Sequence, residues 1–430
     1  MLKLKIETLG CSKNRVDTEH LLAQVEGKYE IVPEDDYSTS VDCLLINTCG
    51  FIGDAKEESI QTILEAVERK KAGEIGKLAV FGCLSQRYPS DMPKLIPEVE
   101  AWFGARDISP VVKYLGCVPS ESYDPRRYLT EGKKGYAYLK ISEGCDRRCA
   151  YCAIPYIRGK HRSVPMEDLV KEAQLLASEG VRELILIAQD TSYYGLDLYG
   201  KRCLGELVTR LSEIEGVRWI RMHYLYPANF PEDVIDIMAS NPKVCKYLDI
   251  PLQHSSDKML RMMRRNVDGD WTRKLVRMFR ERVPGIVLRT TMIVGHPGET
   301  EEEFEDLLSF VGEVKFERLG AFTYSEEEGT YGAENYSDDI PQEVKDSRLS
   351  ALMELQSSVS LEFNLSRVGS VEEVMVDSIS DDVMVCRSQY ESPEVDGEIL
   401  VGKKDGISVG DIVKVKITGA NEYDLIAELF

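Results

Sequence analysis

Eight residues, Cys145-Asp146-Arg147-Arg148-Cys149-Ala150-Tyr151-Cys152, decide how the rest of the chain is interpreted. Their C-x3-C-x2-C spacing supplies three thiolates, and thiolates select zinc, copper(I) or iron–sulfur clusters. A structural zinc site closes with four ligands, whereas three thiolates on a [4Fe–4S] cluster leave one iron free for a substrate or cofactor. A Cys3His zinc site that uses His161 is the alternative, but no second cysteine pair follows the triplet. The triplet therefore favours an iron–sulfur cluster with an open coordination position.

Composition narrows the class of protein. Of 430 residues, 43% are hydrophobic and 30% charged, as in ordinary globular chains. No apolar run approaches the ~20 residues that span a bilayer, and Met1–Glu7 alternates like a strand rather than a signal peptide. We expect a cytoplasmic protein without membrane contact. Eleven cysteines, an odd number, argue against a disulfide framework. A net charge of −21 disfavours binding to the phosphates of nucleic acids and favours binding to basic partners.

The first 117 residues repeat one pattern three times: an apolar strand, a cysteine just beyond its end, and then a helix. The predicted strands are Lys3–Leu9, Asp42–Ile46 and Lys77–Phe81. This alternation predicts a parallel α/β sheet with helical cover. Because the carboxyl ends of parallel strands form one crevice, we expect Cys11, Cys49 and Cys83 to meet there. They predict a second cluster held by three thiolates.

Two smaller predictions concern the neighbours of these cysteines and the remaining thiols. We expect Gly10, Gly50 and Gly82 to let the backbone approach a bulky cluster closely. The other five cysteines lack a strand-end placement. They are interpreted as core or inert thiols: Cys43, Cys117, Cys203, Cys245 and Cys386.

A second domain is predicted beyond a linker over Ser120–Lys134. It covers residues 131–365, and its strand–helix units predict a six-unit βα partial barrel of TIM-like architecture. The six predicted strands are Tyr136–Ser142, Glu183–Ala188, Val217–His223, Lys246–Ile250, Ile286–Val294 and Glu317–Tyr324. The cysteine triplet follows the first strand, on the barrel face where such folds carry their chemistry.

The end of the chain predicts a third domain. Glu326–Ile340 is acidic and is interpreted as a loop, and Gln342–Ser366 as a long helix. Residues 366–430 switch to short strands with turn signals, which predict a small antiparallel β-barrel. The fold class is therefore α/β with an N-terminal parallel domain (residues 1–117), a central partial barrel and a terminal β-barrel.

Taken together, the motifs resemble those of the radical S-adenosylmethionine (SAM) methylthiotransferases, over essentially the whole chain. The triplet Gly144-Cys145-x3-Cys149-x-Tyr151-Cys152 resembles the radical SAM motif. The terminal barrel looks like the TRAM domain of that family. Three segments look like its N-terminal domain: Thr8-Leu9-Gly10-Cys11, Asn47-Thr48-Cys49 and Phe81-Gly82-Cys83-x2-Gln86-Arg87.

The resemblance leaves a choice between two branches, one modifying a tRNA adenosine and the other, RimO-like, modifying an aspartate of ribosomal protein S12. Three loops, Gln189–Gly200, His223–Pro227 and Leu248–His254, look like the second branch. Residues 367–430 contain six Lys and Arg against fourteen Asp and Glu, a net charge of −8. A tRNA-binding domain should present a basic face, whereas an acidic one suits a basic ribosomal protein. The alternatives are a tRNA methylthiotransferase and, in another class, a two-cluster electron-transfer protein.

The resemblance also implies a mechanism. It implies that one [4Fe–4S] cluster on Cys145, Cys149 and Cys152 binds and cleaves SAM, so that a 5′-deoxyadenosyl radical abstracts hydrogen from the aspartate β-carbon. It implies that a second cluster on the three N-terminal cysteines supplies sulfur and that a second SAM supplies the methyl group. The implied SAM contacts are Tyr151, Gln189, Asp190, Gln253 and Gly295. The implied partners are S12 and an electron donor such as flavodoxin or ferredoxin, without direct nucleic-acid binding; the sulfur donor and oligomeric state stay open.

Overall fold

A five-stranded parallel sheet forms the centre of the N-terminal domain. The computed structural model describes residues 1–130 and 135–430; the end of the predicted linker and the predicted domain start at residue 131 lie outside the described residues. The elements of this domain are β1 (Leu2–Thr8), α1 (Ser12–Val25), β2 (Tyr29–Ile31), β3 (Val41–Thr48), α2 (Gly53–Lys71), β4 (Ile75–Gly82), α3 (Cys83–Arg87), α4 (Met92–Leu95), β5 (Ala101–Trp102) and α5 (Ser109–Tyr114). The strand order is β2-β1-β3-β4-β5, so the three predicted strands are its centre and two short strands are its edges.

The near-continuous apolar run of β3 follows from burial on both faces of this sheet. Leu44 and Ile46 belong to one hydrophobic cluster, and Cys43 and Leu45 belong to another. Successive side chains of a strand point to opposite faces, so each face receives alternate residues. The central strands are therefore held rigidly, and so are the loops that begin at their ends.

The central domain is an open sheet of six parallel strands surrounded by helices. Its elements are β6 (Tyr136–Lys140), β7 (Ser142–Glu143), α6 (Ile154–Ile157), β8 (Arg162–Ser163), α7 (Met166–Ser178), β9 (Glu183–Ile187), a 3-10 helix (Thr191–Tyr193), α8 (Leu196–Tyr199), α9 (Leu204–Ser212), β10 (Trp219–Met222), α10 (Glu232–Ser240), β11 (Val244–Asp249), α11 (Asp257–Met262), α12 (Gly269–Arg282), β12 (Val287–Val294), α13 (Glu301–Val314), β13 (Arg318–Thr323), α14 (Tyr331–Asn335) and α15 (Gln342–Ser366). The order β6-β9-β10-β11-β12-β13 leaves β6 and β13 as edges, which confirms a partial barrel.

Most of the six predicted strands of the central domain differ from the observed ones by one or two residues at an end, and one predicted loop contains a helix. The predicted loop over Glu326–Ile340 contains the short helix α14, which begins after Thr330, whose side chain accepts a hydrogen bond from the Ala333 amide. The strand predicted over Val217–His223 is shorter, since β10 begins at Trp219. A five-residue helix is too short for a periodic apolar pattern to reveal it.

The terminal domain is a closed five-stranded barrel. Its strands are β14 (Val371–Ile379), β15 (Val383–Arg387), β16 (Ile399–Gly402), β17 (Ile412–Ala420) and β18 (Leu425–Leu429). The pairings β14–β15, β15–β16, β14–β17 and β17–β18 are antiparallel, as predicted, and β16–β18 is parallel. Its interior is filled by Val374, Val376, Met384, Ile399 and Val415.

Buried ion pairs attach this barrel to the central domain. Glu183 at the start of β9 accepts from Arg221 at 2.7 Å and from Arg387 of the terminal barrel at 2.9 Å. Glu391 accepts from Arg318 of β13 at 3.1 Å and also pairs with Arg367. The described part of the chain contains no helix with the length and apolar character required to cross a bilayer.

Candidate active site

The loop that carries the cysteine triplet is held from both sides. The Cys145 amide donates to the Gly159 carbonyl at 3.0 Å, and the Ala150 amide donates to the Met263 carbonyl at 3.0 Å. The Ala150 carbonyl accepts from the Gly332 amide of α14 at 2.7 Å. The loop therefore has a fixed path after β7, and Cys145 and Cys149 are each 9% exposed within it.

The three N-terminal cysteines follow the ends of three adjacent parallel strands. Cys11 caps α1, Cys49 follows β3, and Cys83 begins α3. A Cβ on Gly10, whose φ is +86°, would lie 2.8 Å from Cys49 Cβ, and a Cβ on Gly50 would lie 2.7 Å from the Leu84 amide. These glycines let the three loops pack on one another, so the expectation that they make room for a cluster receives no support. Close packing of the loops brings the three thiols together.

All six cysteines line a single cavity of about 340 Å³. It is lined by residues of the N-terminal domain, of the triplet loop and of the loops that follow β9, β10 and β11. Both predicted cysteine sets therefore face the same space, although they are separated by more than 60 residues of chain. A reactive group bound by one set would be within reach of a substrate that touches the other.

The five predicted SAM contacts divide into two groups. Tyr151, Gln189 and Gln253 line the cavity. Asp190 lies behind it and accepts from Nε of Arg147, a lining residue, at 2.8 Å. Gly295 does not line the cavity: an added Cβ there would overlap Lys345, and its amide donates to Glu299.

The lining retains unused hydrogen-bonding capacity. Within the described residues, three buried polar atoms of the lining have no hydrogen-bond partner: Gln189 Oε1, Arg147 Nη2 and Arg265 Nε. Gln253 also has a left-handed backbone with φ of 76°, which is uncommon for a residue other than glycine and clusters at functional sites. Buried polar atoms normally find partners, so these fit a polar ligand such as SAM.

Two arginines that the sequence analysis did not single out contact the cysteine sulfurs. Arg265 Nη1 donates to Cys149 Sγ at 3.4 Å, and Arg158 Nε donates to Cys83 Sγ at 3.3 Å. Each cysteine set thus has one guanidinium against a sulfur. Hydrogen bonds to the sulfurs tune iron–sulfur clusters. The only sequence signal for Arg158 is its position six residues after Cys152.

The side chain of Tyr226 contacts two of the cavity arginines and lies near Cys149. The Tyr226 ring lies between two guanidinium groups, with Arg147 4.0 Å and Arg265 4.2 Å from its centroid. Its hydroxyl donates to the Arg265 carbonyl at 2.6 Å and lies 3.9 Å from Cys149 Sγ. Cation–π contacts of this kind fix the two guanidinium planes beside the triplet.

Burial controls the protonation of the thiols. It raises the pKa of Cys145 to about 12, and it raises the pKa of Cys83 to about 12 despite the opposing charge of Arg158. Burial also raises the pKa values of Cys49 and Cys152. These thiols are protonated at neutral pH in the absence of metal, and metal binding must displace their protons.

The geometry does not support the zinc alternative. Across residues 1–130 and 135–430, no three His, Cys, Asp or Glu side chains are arranged to hold a single metal ion. His161 Nε2 lies 3.1 Å from Ser163 Oγ, and its ring packs edge-on against Tyr193. A four-iron cluster instead bonds each thiolate to a different iron, which three thiols around one space allow.

Comparison with known proteins identifies the family. Residues 139–311 match the radical SAM superfamily, residues 3–104 match the uncharacterized protein family UPF0004, and residues 368–430 match the TRAM domain. A Porphyromonas gingivalis protein described as ribosomal protein uS12 methylthiotransferase RimO is 52% identical over 429 residues, covering 99% of both chains. The chain belongs to the RimO family of radical SAM methylthiotransferases. RimO of Bacteroides thetaiotaomicron is 50% identical, covering 99% of this chain and 98% of its own.

Solved structures show that the RimO-family fold is shared more widely. The radical SAM methyltransferase TsrM of Kitasatospora setae superimposes with a TM-score of 0.56 at 14% identity, covering 78% of each chain. The cobalamin-dependent radical SAM enzyme OxsB gives 0.54 at 12% identity, covering 83% of this chain and 56% of its own. The α/β fold class and the enzyme class are confirmed, and the electron-carrier alternative is wrong. As a RimO-family enzyme, the protein uses SAM and an iron–sulfur cluster.

Proposed function

We propose that this protein attaches a methylthio group to the β-carbon of an aspartate in ribosomal protein S12, with one [4Fe–4S] cluster on each cysteine set. The observation that carries the proposal is that all six cysteines line one cavity. Sulfur insertion requires that radical formation and sulfur delivery occur at the same carbon atom. A shared cavity meets that requirement, whereas two separate sites would not.

The proposal assigns distinct tasks to the side chains around the cavity. When bound, the two clusters would supply the electron that cleaves SAM and the sulfur that is transferred. Cys145, Cys149 and Cys152 would hold one cluster, and Cys11, Cys49 and Cys83 the other. The SAM contacts are assigned to Tyr151, Gln189 and Gln253, which line the cavity. Asp190 is assigned to holding Arg147 in place behind them, and Gly295, which lies away from the cavity, is given no contact. Burial around them excludes water from a reactive intermediate.

The choice of S12 rests on relatives and on charge. The relatives described above carry uS12 in their printed names. The terminal barrel, with its net charge of −8 over residues 367–430, complements a basic ribosomal protein and disfavours tRNA. We assign residues 1–117 to sulfur delivery, 131–365 to radical formation and 366–430 to substrate recruitment. A flavodoxin- or ferredoxin-like protein would supply the electron.

A direct comparison of substrates tests the proposal. The anaerobically reconstituted enzyme is incubated with SAM and a reductant, once with S12 and once with tRNA, and the products are analysed by mass spectrometry. We expect a methylthiolated aspartate in S12 and unchanged tRNA. Methylthiolated tRNA together with unmodified S12 would establish the tRNA alternative instead.

A further inference from the structure

The cavity has a charge opposite to that of the whole chain. Among the described residues that line it, four are cationic, Lys13, Arg147, Arg158 and Arg265, and none is Asp or Glu. The chain as a whole has a net charge of −21. A cationic, largely buried lining selects an anionic ligand, because buried charge is stabilised by an opposite charge.

Three of the four cations already have specific partners. Arg147 pairs with Asp190 at 2.8 Å, and Arg158 pairs with Asp17 at 2.7 Å. Arg265 donates to Cys149 and Tyr151 at 3.4 and 3.3 Å. Arg147 and Arg158 are thus each paired with a carboxylate, and Arg265 is held by neutral groups beside the triplet.

Lys13 is the exception. It is 8% exposed, and its ammonium lies 3.3 Å from the centroid of the Tyr224 ring. Within residues 1–130 and 135–430, no carboxylate lies within salt-bridge distance of it and no hydrogen bond satisfies it. Lys13 is also the second residue of α1, where the helix dipole disfavours a cation. The ring face of Tyr224, held with φ of 59°, fixes the ammonium at the cavity without neutralising it.

We propose that Lys13 binds the side-chain carboxylate of the substrate aspartate and so positions its β-carbon between the two cysteine sets. This inference rests on the proposed function and names the residue that recognises the target side chain. An ammonium suits this role because it is a compact charge with three donors that accepts a carboxylate in several orientations.

Two other anionic groups could pair with Lys13, and the experiment distinguishes each of them from the substrate carboxylate. One is the carboxylate of SAM; the other is the negative charge of a cluster on Cys11, two residues away. Binding to SAM would make Lys13 matter for SAM affinity. If Lys13 instead compensates the charge of the cluster, its replacement would change the iron content and the electronic spectrum of the enzyme.

The test compares Lys13→Met and Lys13→Arg with the wild type and with Lys171→Met, a control at an exposed lysine of α7. Each reconstituted enzyme is assayed with S12 and with S12 in which the modified aspartate, located by mass spectrometry, is replaced by asparagine. Affinity for both proteins, SAM affinity and iron content are measured alongside turnover. We expect Lys13→Met to bind wild-type S12 about tenfold to a hundredfold more weakly, as for the loss of a charge-assisted hydrogen bond.

The S12 variant with asparagine in place of the modified aspartate gives the most direct comparison, because it lacks the carboxylate that Lys13 is proposed to bind. Wild-type enzyme should bind it more weakly than S12, whereas Lys13→Met should distinguish the two far less, and Lys13→Arg should restore part of the discrimination. Unchanged S12 affinity in Lys13→Met, a loss of SAM affinity, or a loss of iron would each overturn the inference. If the wild-type enzyme does not modify S12 at all, the proposed function has failed, which is a separate result.

Discussion

Single side chains set the chemical environment of the cysteine sulfurs. Arg265 contacts Cys149 Sγ at 3.4 Å and stacks on Tyr226. A donor at a cluster sulfur stabilises the reduced, more negative state of that cluster more than the oxidised state. The guanidinium should therefore raise the reduction potential of a cluster on the triplet, which eases electron delivery.

Replacing Arg265 tests this effect. Arg265→Gln should lower the reduction potential of the triplet cluster by on the order of 60 mV, which corresponds to about 1.4 kcal/mol for one electron. Arg265→Lys, which keeps the charge, should lower it less, and Arg261→Gln, at an exposed position of α11, should leave it unchanged. Potentiometric titration followed by electron paramagnetic resonance gives the values. Equal potentials in all four proteins would show that Arg265 only packs the site.

The sequence alone reveals part of this residue-level picture. The six cysteines could be predicted because their spacing and strand-end positions are local features of the chain. Arg158, Arg265 and Lys13 could not, because their partners are tens to hundreds of residues away and depend on how the domains pack. Charged residues near a cysteine are common, so proximity in sequence gave no usable signal for them.

At the scale of elements, parallel strands explain why the site could be located from sequence. Adjacent parallel strands end at the same edge, so a cysteine after β1, β3 and β4 must lie at one place. Period and length also predicted α15 with its observed bounds. The helix α14 was missed because its stability comes from its cap and from the contact of Gly332 with the triplet loop.

The attachment of the terminal barrel gives a prediction with a definite pH dependence. Burial opposes ionisation of Glu391, but Arg367 and Arg318 prevail and lower its pKa from 4.5 to about 2. A lowered pKa stabilises the folded state above pH 4.5, and this stabilisation is lost as the pH falls toward 2. Glu391→Gln removes the only carboxylate that pairs with Arg318 among the described residues and one of the two that pair with Arg367, which keeps Glu372. This change should reduce the free energy of unfolding by about 3–5 kcal/mol at neutral pH.

Urea denaturation of the wild type and Glu391→Gln across this pH range measures the effect. The difference between the two proteins should shrink on acidification. Glu428→Gln, at an exposed glutamate of β18 in the same barrel, serves as the control and should differ little from the wild type at any pH. A difference that stays constant between pH 5 and pH 3 would show that Glu391 contributes by packing rather than by charge.

At the scale of the whole molecule, surface and site carry opposite charges. The chain has a net charge of −21, while the cavity lining has four cationic residues and no carboxylate among those described. An acidic exterior favours encounter with a basic protein, and a cationic interior selects an acidic side chain of that protein. Under the proposed function, the two charges would act on different parts of one substrate.

The central claim is that two three-cysteine sets each hold a [4Fe–4S] cluster at one cavity, and iron analysis tests it most directly. Anaerobically reconstituted wild-type protein should contain about eight irons per chain, which is two four-iron clusters. The triple variant with Cys145, Cys149 and Cys152 replaced by Ala should retain about half, and so should the triple variant at Cys11, Cys49 and Cys83. A wild-type protein with about four irons, or a triple variant with unchanged iron, would contradict the account.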